Sequence, residues 1–396
     1  MKKTKIYINV FLTGFFILSA VSNLFARPQY SMLSGNRCLN CHINSQGAAL
    51  RSSLGSYSRK DIGFFDMEDT WLGNFFENIS DYHSFGEELI TIGSDYRFQT
   101  VKVGGPESQT REIFAMQLTP YLAIKPFDWL NFSFQYNFAK QIYPAQSRWM
   151  AYAIIQPTIK LPYVKIGMLK PSLGNFYDDH TTLVRQVAGP TRAFPIVPPD
   201  YAEYGAELAY DGLKYLSITA GVFDSKKMTE NTIEDNFGNK ISIADKSSVS
   251  KLFRVAFLPR FFENEINTNI GGSYFINGDF SITNLFVHLG WTDKISLMTE
   301  YMISNKKDLR KTNNYMVEVL YNLIDALDLY ARYEEGNSEF IYFVPPNDNY
   351  KSRQIVLGAN IYPIPYIEIR PEYRIYDREF AESYSAQWTV QLHVYF

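Results

Sequence analysis

From Glu88 to its last residue the chain is written in alternating apolar and polar side chains, in segments separated by turn residues. Each segment is about ten residues long, the length that a tilted membrane strand requires. Period-two alternation places successive side chains on opposite faces of a strand. Strands are predicted near 88–103, 110–125, 128–140, 148–161, 163–170, 201–210, 213–224 and 250–262. Eight more are predicted near 264–276, 280–291, 293–304, 311–323, 325–335, 350–362, 365–376 and 384–396. Every second connection is short: Pro126-Phe127, Leu161-Pro162, Asp211-Gly212, Glu263, Thr292, Ile324 and Pro363-Ile364. The intervening ones are usually longer, notably 171–200, 225–249 and 336–349, although Asn277-Gly278-Asp279 is short. An even strand number with short turns at one end and long loops at the other describes a closed up-and-down barrel. A propeller would repeat a blade motif at a fixed period, and the sequence shows no such repeat. The expected fold is all-β, an antiparallel outer-membrane β-barrel of about 16 strands, wide enough for an aqueous channel.

The last strand carries its own signal. Trp388, Val390, Leu392, Val394 and Phe396 form one face, and Gln387, Thr389, Gln391, His393 and Tyr395 the other. A final aromatic residue on the apolar face resembles the C-terminal insertion signal of bacterial outer-membrane barrels. Composition agrees: 29 Tyr and 30 Phe accompany a slightly negative mean hydropathy. Apolar outside, polar inside and aromatic at both interfaces is the mixture that a lipid-facing barrel needs. Lys and Arg total 38 against 41 Asp and Glu, so there is no basic surplus for phosphate neutralisation and no nucleic-acid partner is expected.

Residues 1–26 read as a cleaved export signal. Lys2, Lys3 and Lys5 precede the mostly apolar run from Ile6 to Ala20, and the segment ends on the small Ala26. That run is shorter than a spanning helix needs. Residues 27–87 then form a segment too small for a well-protected core of its own, and residues 88–396 form the barrel.

Cys38-Leu39-Asn40-Cys41-His42 lies in that small segment and uses both cysteines of the chain. Two thiols at this spacing form thioethers with the two vinyl groups of one haem, and His42 becomes the proximal iron ligand. A redox CxxC pair would call for a thioredoxin-like βαβ context, and a zinc site for a further pair of ligands nearby; neither accompanies the motif. The expected cofactor is therefore one haem c, bound through Cys38, Cys41 and His42 in a plug in the channel or at its periplasmic mouth. The sixth ligand is left between Met67 and His83, with Met32 just upstream and an open or lumen-supplied position as alternatives. A Met would raise the potential relative to a second His. Met67, in the apolar patch after Phe64-Phe65-Asp66, reads equally as gap-filling packing, and His83 as a surface residue. Arg51, Arg59 and Lys60 are candidates to pair with the propionates or simply face water.

The longest connection begins Pro171-Ser172-Leu173-Gly174-Asn175 and continues through Asp178-Asp179-His180, Arg185 and Arg192. A loop with this Pro and aromatic content often folds inward. Asp178, Asp179 and His180 combine hard oxygen donors with an imidazole, a set suited to Fe(II) or another divalent ion, or alternatively a solvated acidic loop. Arg185 and Arg192 would attract anions if they lined a constriction. No hydrolytic constellation accompanies them.

An export signal, one CxxCH in a short plug and a barrel of about sixteen strands together resemble the fused outer-membrane cytochrome–porins, whose best-known members are iron oxidases. The resemblance rests on Cys38, Cys41 and His42, on Ala26-Arg27-Pro28 leading in, and on the barrel ending at Phe396. Gly167-Met168-Leu169-Lys170-Pro171-Ser172-Leu173-Gly174 is also similar to the strand-and-loop entry of phosphate-selective porins. The resemblance implies electron transfer across the outer membrane. An extracellular donor such as Fe(II) would be oxidised at the haem, and a periplasmic electron carrier would receive the electron; transfer outward to an external acceptor would need the same parts. The competing expectation is a passive solute or anion porin whose haem plug gates the pore or senses redox state.

Overall fold

The computed structural model describes residues 28–396 apart from 45–46, 48–49, 59–61, 66, 68–69, 105–108, 142, 144, 159, 176–181, 189–193, 199, 235–238, 342–347 and 379–384. Sixteen antiparallel strands form the wall: β1 (Ile90–Gly104), β2 (Gln109–Phe127), β3 (Leu130–Tyr136), β4 (Trp149–Ile155), β5 (Tyr163–Leu169), β6 (Glu203–Tyr210), β7 (Leu216–Phe223) and β8 (Ser250–Phe257). The second half comprises β9 (Ile266–Asn277), β10 (Phe280–Trp291), β11 (Ile295–Lys306), β12 (Arg310–Ile324), β13 (Leu327–Phe340), β14 (Asp348–Ile361), β15 (Ile367–Arg378) and β16 (Ser385–Tyr395). Each pairs with its neighbours in sequence. β16 returns to β1, from Asp95 opposite Tyr395 to Gly104 opposite Ala386, so the sheet has no open edge. All sixteen predicted strands are present.

The alternation works as the sequence reading expects. On β16, Trp388, Val390 and Leu392 are exposed on the outer surface while Thr389, His393 and Tyr395 are buried in the lumen. On β10 to β13, Leu285, Val287, Val317, Val319 and Leu329 face outward, and Asn284, Glu300, Asn314, Glu318, Arg332 and Glu334 face inward. A wall with this sidedness is stable only with hydrocarbon outside and polar partners inside.

Several boundaries differ from the sequence expectation, two of them for a local reason. β3 stops at Tyr136 because the Asn137 side chain takes over the ladder: its Oδ1 accepts from the N–H groups of Leu118 (3.1 Å) and Ala139 (2.9 Å). β13 instead continues through Gly336, where a loop was expected, to Phe340. A Cβ on Gly336 would lie 2.8 Å from Asn314 Oδ1, so glycine here makes room for a lumen side chain and does not break the strand. The first turn is shifted likewise, to Asp128-Trp129, with the Phe127 and Trp129 rings stacked 5.3 Å apart.

Described segments of the chain enter the lumen from both ends. At the loop end, the connections 170–202 and 224–249 fold inward. Leu173, Val184 and Ile196 from the first and Met228 and Ile243 from the second pack against strand residues such as Phe280 and Met302 in one apolar cluster. The first connection is anchored to the wall: Ser172 donates its N–H (2.7 Å) and its hydroxyl (2.6 Å) to the Glu207 carboxylate, and Asn314 Nδ2 donates to the carbonyl of Leu183 at 2.9 Å. Glu207 is also ion-paired with Lys165, both fully buried. Replacing Glu207 by Leu leaves Lys165 as an uncompensated buried charge, and removing one partner of such a pair costs about 3–5 kcal/mol. A lowered melting temperature in detergent and protease cutting between 171 and 200 are expected. Adding Lys165→Met should recover the melting temperature but not the loop anchorage; if the single variant melts like the parent, the pair is solvated.

At the other end, the N-terminal segment enters the lumen. Its helix α1 (Pro28–Ser34) lies against β9, β10 and β11. Tyr30 OH donates to Asp328 Oδ2 at 2.8 Å, Asn267 Nδ2 donates to the Met32 carbonyl at 2.9 Å, and Gln29 pairs with Glu318. A Cβ on Gly290 would sit 2.4 Å from the Met32 carbonyl oxygen. Gly290→Val is therefore expected to push α1 off the wall without opening the strand ladder. Hydrogen exchange would then rise in 28–34 and stay unchanged in β10; equal protection of 28–34 in both proteins would refute the contact.

Candidate functional site: the CxxCH turn inside the barrel

Cys38–Cys41 form a single helical turn, α2, which puts the two thiols three residues apart on one face. His42 closes the turn, its N–H donating to the Cys38 carbonyl at 2.9 Å. From there the chain runs out and back as a short ladder. Ile43 donates to the Leu50 carbonyl (3.2 Å), Ser52 donates to the Cys41 carbonyl (3.0 Å), and His42 lies opposite Arg51. Gly47 has φ +83°, a left-handed conformation that favours glycine. A Cβ there would meet Cys38 Sγ at 3.5 Å and His42 Cδ2 at 4.0 Å. Helix α3 (Ser53–Tyr57) packs so closely that a Cβ on Gly55 would be 2.1 Å from the Cys41 carbonyl oxygen.

Cys41 and His42 are buried, and Cys38 is partly covered. Burial pushes the Cys38 thiol up, opposed by the Arg254 guanidinium and a hydrogen bond from Ser31. A redox CxxC needs the reverse, a stabilised thiolate. The donor set fits a covalently held haem: two thiols on one face, a neighbouring buried imidazole and a glycine keeping bulk away from both. Cys38, Cys41 and His42 would hold it.

The site is tied to the seam where the barrel closes. The Arg51 guanidinium lies over the Tyr395 ring, 4.2 Å from its centroid, and Leu50 packs on β1 and β2 against Gly93, Tyr121 and Ala123. Tyr366 OH donates to the Ser56 carbonyl (3.2 Å), and Arg37 Nη1 donates to the Asp211 carbonyl (2.8 Å).

The two downstream candidates for the iron's sixth position are placed differently. Met67 is half-buried at the entry to helix α4 (Trp71–Tyr82), its carbonyl accepting from the Thr70 N–H (3.0 Å) and hydroxyl (2.8 Å). His83, expected as readily on the surface, is 1% exposed, and its Nε2 lies 3.1 Å from the Arg51 carbonyl oxygen. Burial holds its imidazole below the usual histidine range, so it is neutral at pH 7. Among the described residues, no group of three or more His, Cys, Asp and Glu side chains is arranged to hold a metal ion. Asp178, Asp179, His180 and Arg192 in the long loop, Arg59 and Lys60 beside the motif, and the export signal lie outside the described residues. Arg185 ion-pairs with Glu300 at 3.4 Å.

Sequence reasoning missed Arg254 and His288. Arg254 faces the lumen, its Nε donating to the Gly174 carbonyl at 3.1 Å, and Asn175 bonds to His288 Nε2 at 2.8 Å. Their only signal in the sequence is that each falls on the inward phase of its strand.

No family model matches the chain, and no curated protein matches it. Solved structures do. OprB of Pseudomonas putida is 10% identical, with a TM-score of 0.55, 83% of this chain and 97% of that one being covered. The anion-selective porin from Comamonas acidovorans is 11% identical with a TM-score of 0.51, covering 78% and 99%. OmpT, an outer membrane protein of Vibrio cholerae, in its trimer form, is 10% identical with a TM-score of 0.51 and the same coverage. The barrel fold is that of the outer-membrane porins.

Proposed function

We propose that this chain is an outer-membrane electron-transfer protein, with one haem c attached through Cys38 and Cys41 and ligated by His42 inside a porin-like barrel. The observation that carries the reading is a CxxCH turn inside the barrel whose Cys41 and His42 are buried, beside the seam that closes the wall. Bound haem would supply a one-electron centre. The remaining work falls to the chain. The helical turn presents the thiols, the 42–51 ladder fixes His42, the N-terminal segment fills the lumen below, and the folded-in loops exclude water above. An enclosure of this kind would keep solutes out, which suits an extracellular donor such as Fe(II) and a periplasmic electron carrier as acceptor.

A second reading is favoured by the neighbours, one of which is named an anion-selective porin: a passive pore gated by its N-terminal segment. Proteoliposomes separate the two. With an electron acceptor enclosed and Fe(II) or an impermeant reductant outside, reduction of the acceptor supports electron transfer. Solute flux that survives loss of haem, with no reduction, supports the pore.

A further inference from the structure

We propose that helix α4 lies in the headgroup region of the periplasmic leaflet, where it fastens the N-terminal segment to lipid beside the barrel. The inference stands apart from the haem reading. At about 100° per residue, the positions of Trp71, Leu72, Phe75, Phe76, Ile79 and Tyr82 fall within roughly 140° of the helix circumference. The positions of Asn74, Glu77, Asn78, Ser80 and Asp81 fill the other side. A core helix buries the whole of such an apolar arc, but the barrel covers only part of this one. Leu72 packs with Ile364, Tyr366, Tyr395 and Phe396, whereas Trp71 is 79% exposed and Phe75 50%. The position of Asp81 is opposite that of Leu72 on the helix. With Leu72 toward the wall, the polar arc is therefore on the water side, and the Trp71–Phe75 edge lies between the two. An apolar edge beside a charged face is the design of a helix lying in a membrane interface.

The wall fixes the level of that edge. Before α4, the Phe64 N–H donates to the Tyr362 carbonyl at 3.0 Å and the Phe65 N–H to the Pro363 carbonyl at 3.1 Å, on the short turn between β14 and β15. After α4, the His83 carbonyl accepts from the Ile92 N–H at 2.9 Å. The helix thus follows the rim from the β14–β15 turn to the start of β1. Other turns at this end carry exposed aromatic rings: Phe127 and Trp129, Phe261 and Phe262, and Trp291. They form the lower girdle by which a barrel meets lipid. Along the rim from β14 to β16 the wall's own Tyr362, Tyr366 and Tyr395 are buried, and Phe396 is partly covered. The exposed rings there are Phe64, Phe65, Trp71 and Phe75, supplied by the N-terminal segment. They continue the girdle across the seam, and Trp and Phe suit that depth. Because α4 contains no Lys or Arg, its attachment rests on the apolar edge and not on anionic headgroups. The N-terminal segment is then held twice, by hydrogen bonds inside the lumen and by lipid at its mouth.

The test uses the full chain in phosphatidylcholine nanodiscs. Four of the five tryptophans are changed to Phe, leaving Trp71 or, as a control on the outward wall, Trp388. Emission is compared between plain lipid, lipid brominated near the glycerol and lipid brominated near the chain end, and ratios to plain lipid cancel any quenching by haem. Trp71 is expected to emit to the blue of its value in water, to lose emission mainly to bromine near the glycerol, and to be shielded from aqueous iodide. Adding anionic lipid should leave that loss unchanged. Quenching by iodide without quenching by bromine puts the edge in periplasmic water, open to a protein partner, and overturns the proposal. Shielding from both quenchers also overturns it, because Trp71 would then be covered by protein. If the Trp71-only chain does not fold, hydrogen exchange of the parent and of the Trp71→Asp, Phe75→Asp double variant decides in the same discs. Faster exchange over 71–78 in the variant is expected, and equal exchange overturns the proposal.

Discussion

Changing Cys38 and Cys41 together to serine is expected to abolish covalent haem attachment while leaving the barrel intact. The intact mass should fall to that of the polypeptide alone and the Soret band should vanish. Reduction of an enclosed acceptor should drop to the level of empty liposomes. The effect is all-or-none because the chain has only these two cysteines, so no other thiol can substitute. The barrel is spared because both residues lie in α2, and its strands close on one another without them. His42→Ala is the finer version. The thioethers remain available, so haem stays attached, but the iron loses its proximal imidazole and electron transfer falls with it. The expectation fails if the double serine protein still reduces the acceptor, or if it no longer migrates as a folded, heat-modifiable barrel. The first result would remove haem from the function, and the second would make the cysteines structural.

The wall was far more legible in the sequence than the lumen. Period-two alternation is imposed by lipid on one side and polar partners on the other, so each strand announces itself locally, down to Trp388, Val390 and Leu392 facing out. The strand ends that moved did so through side chains acting at a distance in sequence. Asn137 reaches back to Leu118, and Gly336 yields to Asn314. The CxxCH turn was visible in the sequence because its spacing is fixed, and the structure adds the burial of Cys41 and His42 beside Arg51 and Tyr395. His83 was named in the sequence as a candidate ligand or a surface residue, but its burial was not readable. Its surroundings come from Arg51 and Ile92, and no local pattern marks a histidine for a main-chain carbonyl thirty-two residues away. Likewise, nothing in the run from Pro171 to Asp200 states that Leu173, Val184 and Ile196 will meet Phe280 and Met302 inside the barrel. Inward folding shows only when the loop and the strands it fills are seen together.

If the two tiers of segments inside the lumen each seal it, removing either alone should change its conductance little, and removing both should open it. The loop-end tier is apolar, and a dry constriction stops ions by dewetting even where it is wide enough to admit them. The other tier is polar and hydrogen-bonded to the wall through Tyr30, the Met32 carbonyl and Arg37. Shortening 172–201 to a tight turn leaves the N-terminal segment seated, and deleting 28–82 leaves the apolar cluster. Planar-bilayer currents of either variant should stay near those of the parent. The combined deletion should conduct at least about ten-fold more, since a sixteen-stranded wall with nothing inside encloses an aqueous channel. Such non-additivity is the signature of two barriers in series. A parent that already conducts at the level of the double deletion would mean that neither tier seals the lumen, and would move the assignment to the solute pore. If shortening 172–201 alone opened the channel, the N-terminal segment would be a porous support. The outer loops by themselves would then keep water from the CxxCH turn.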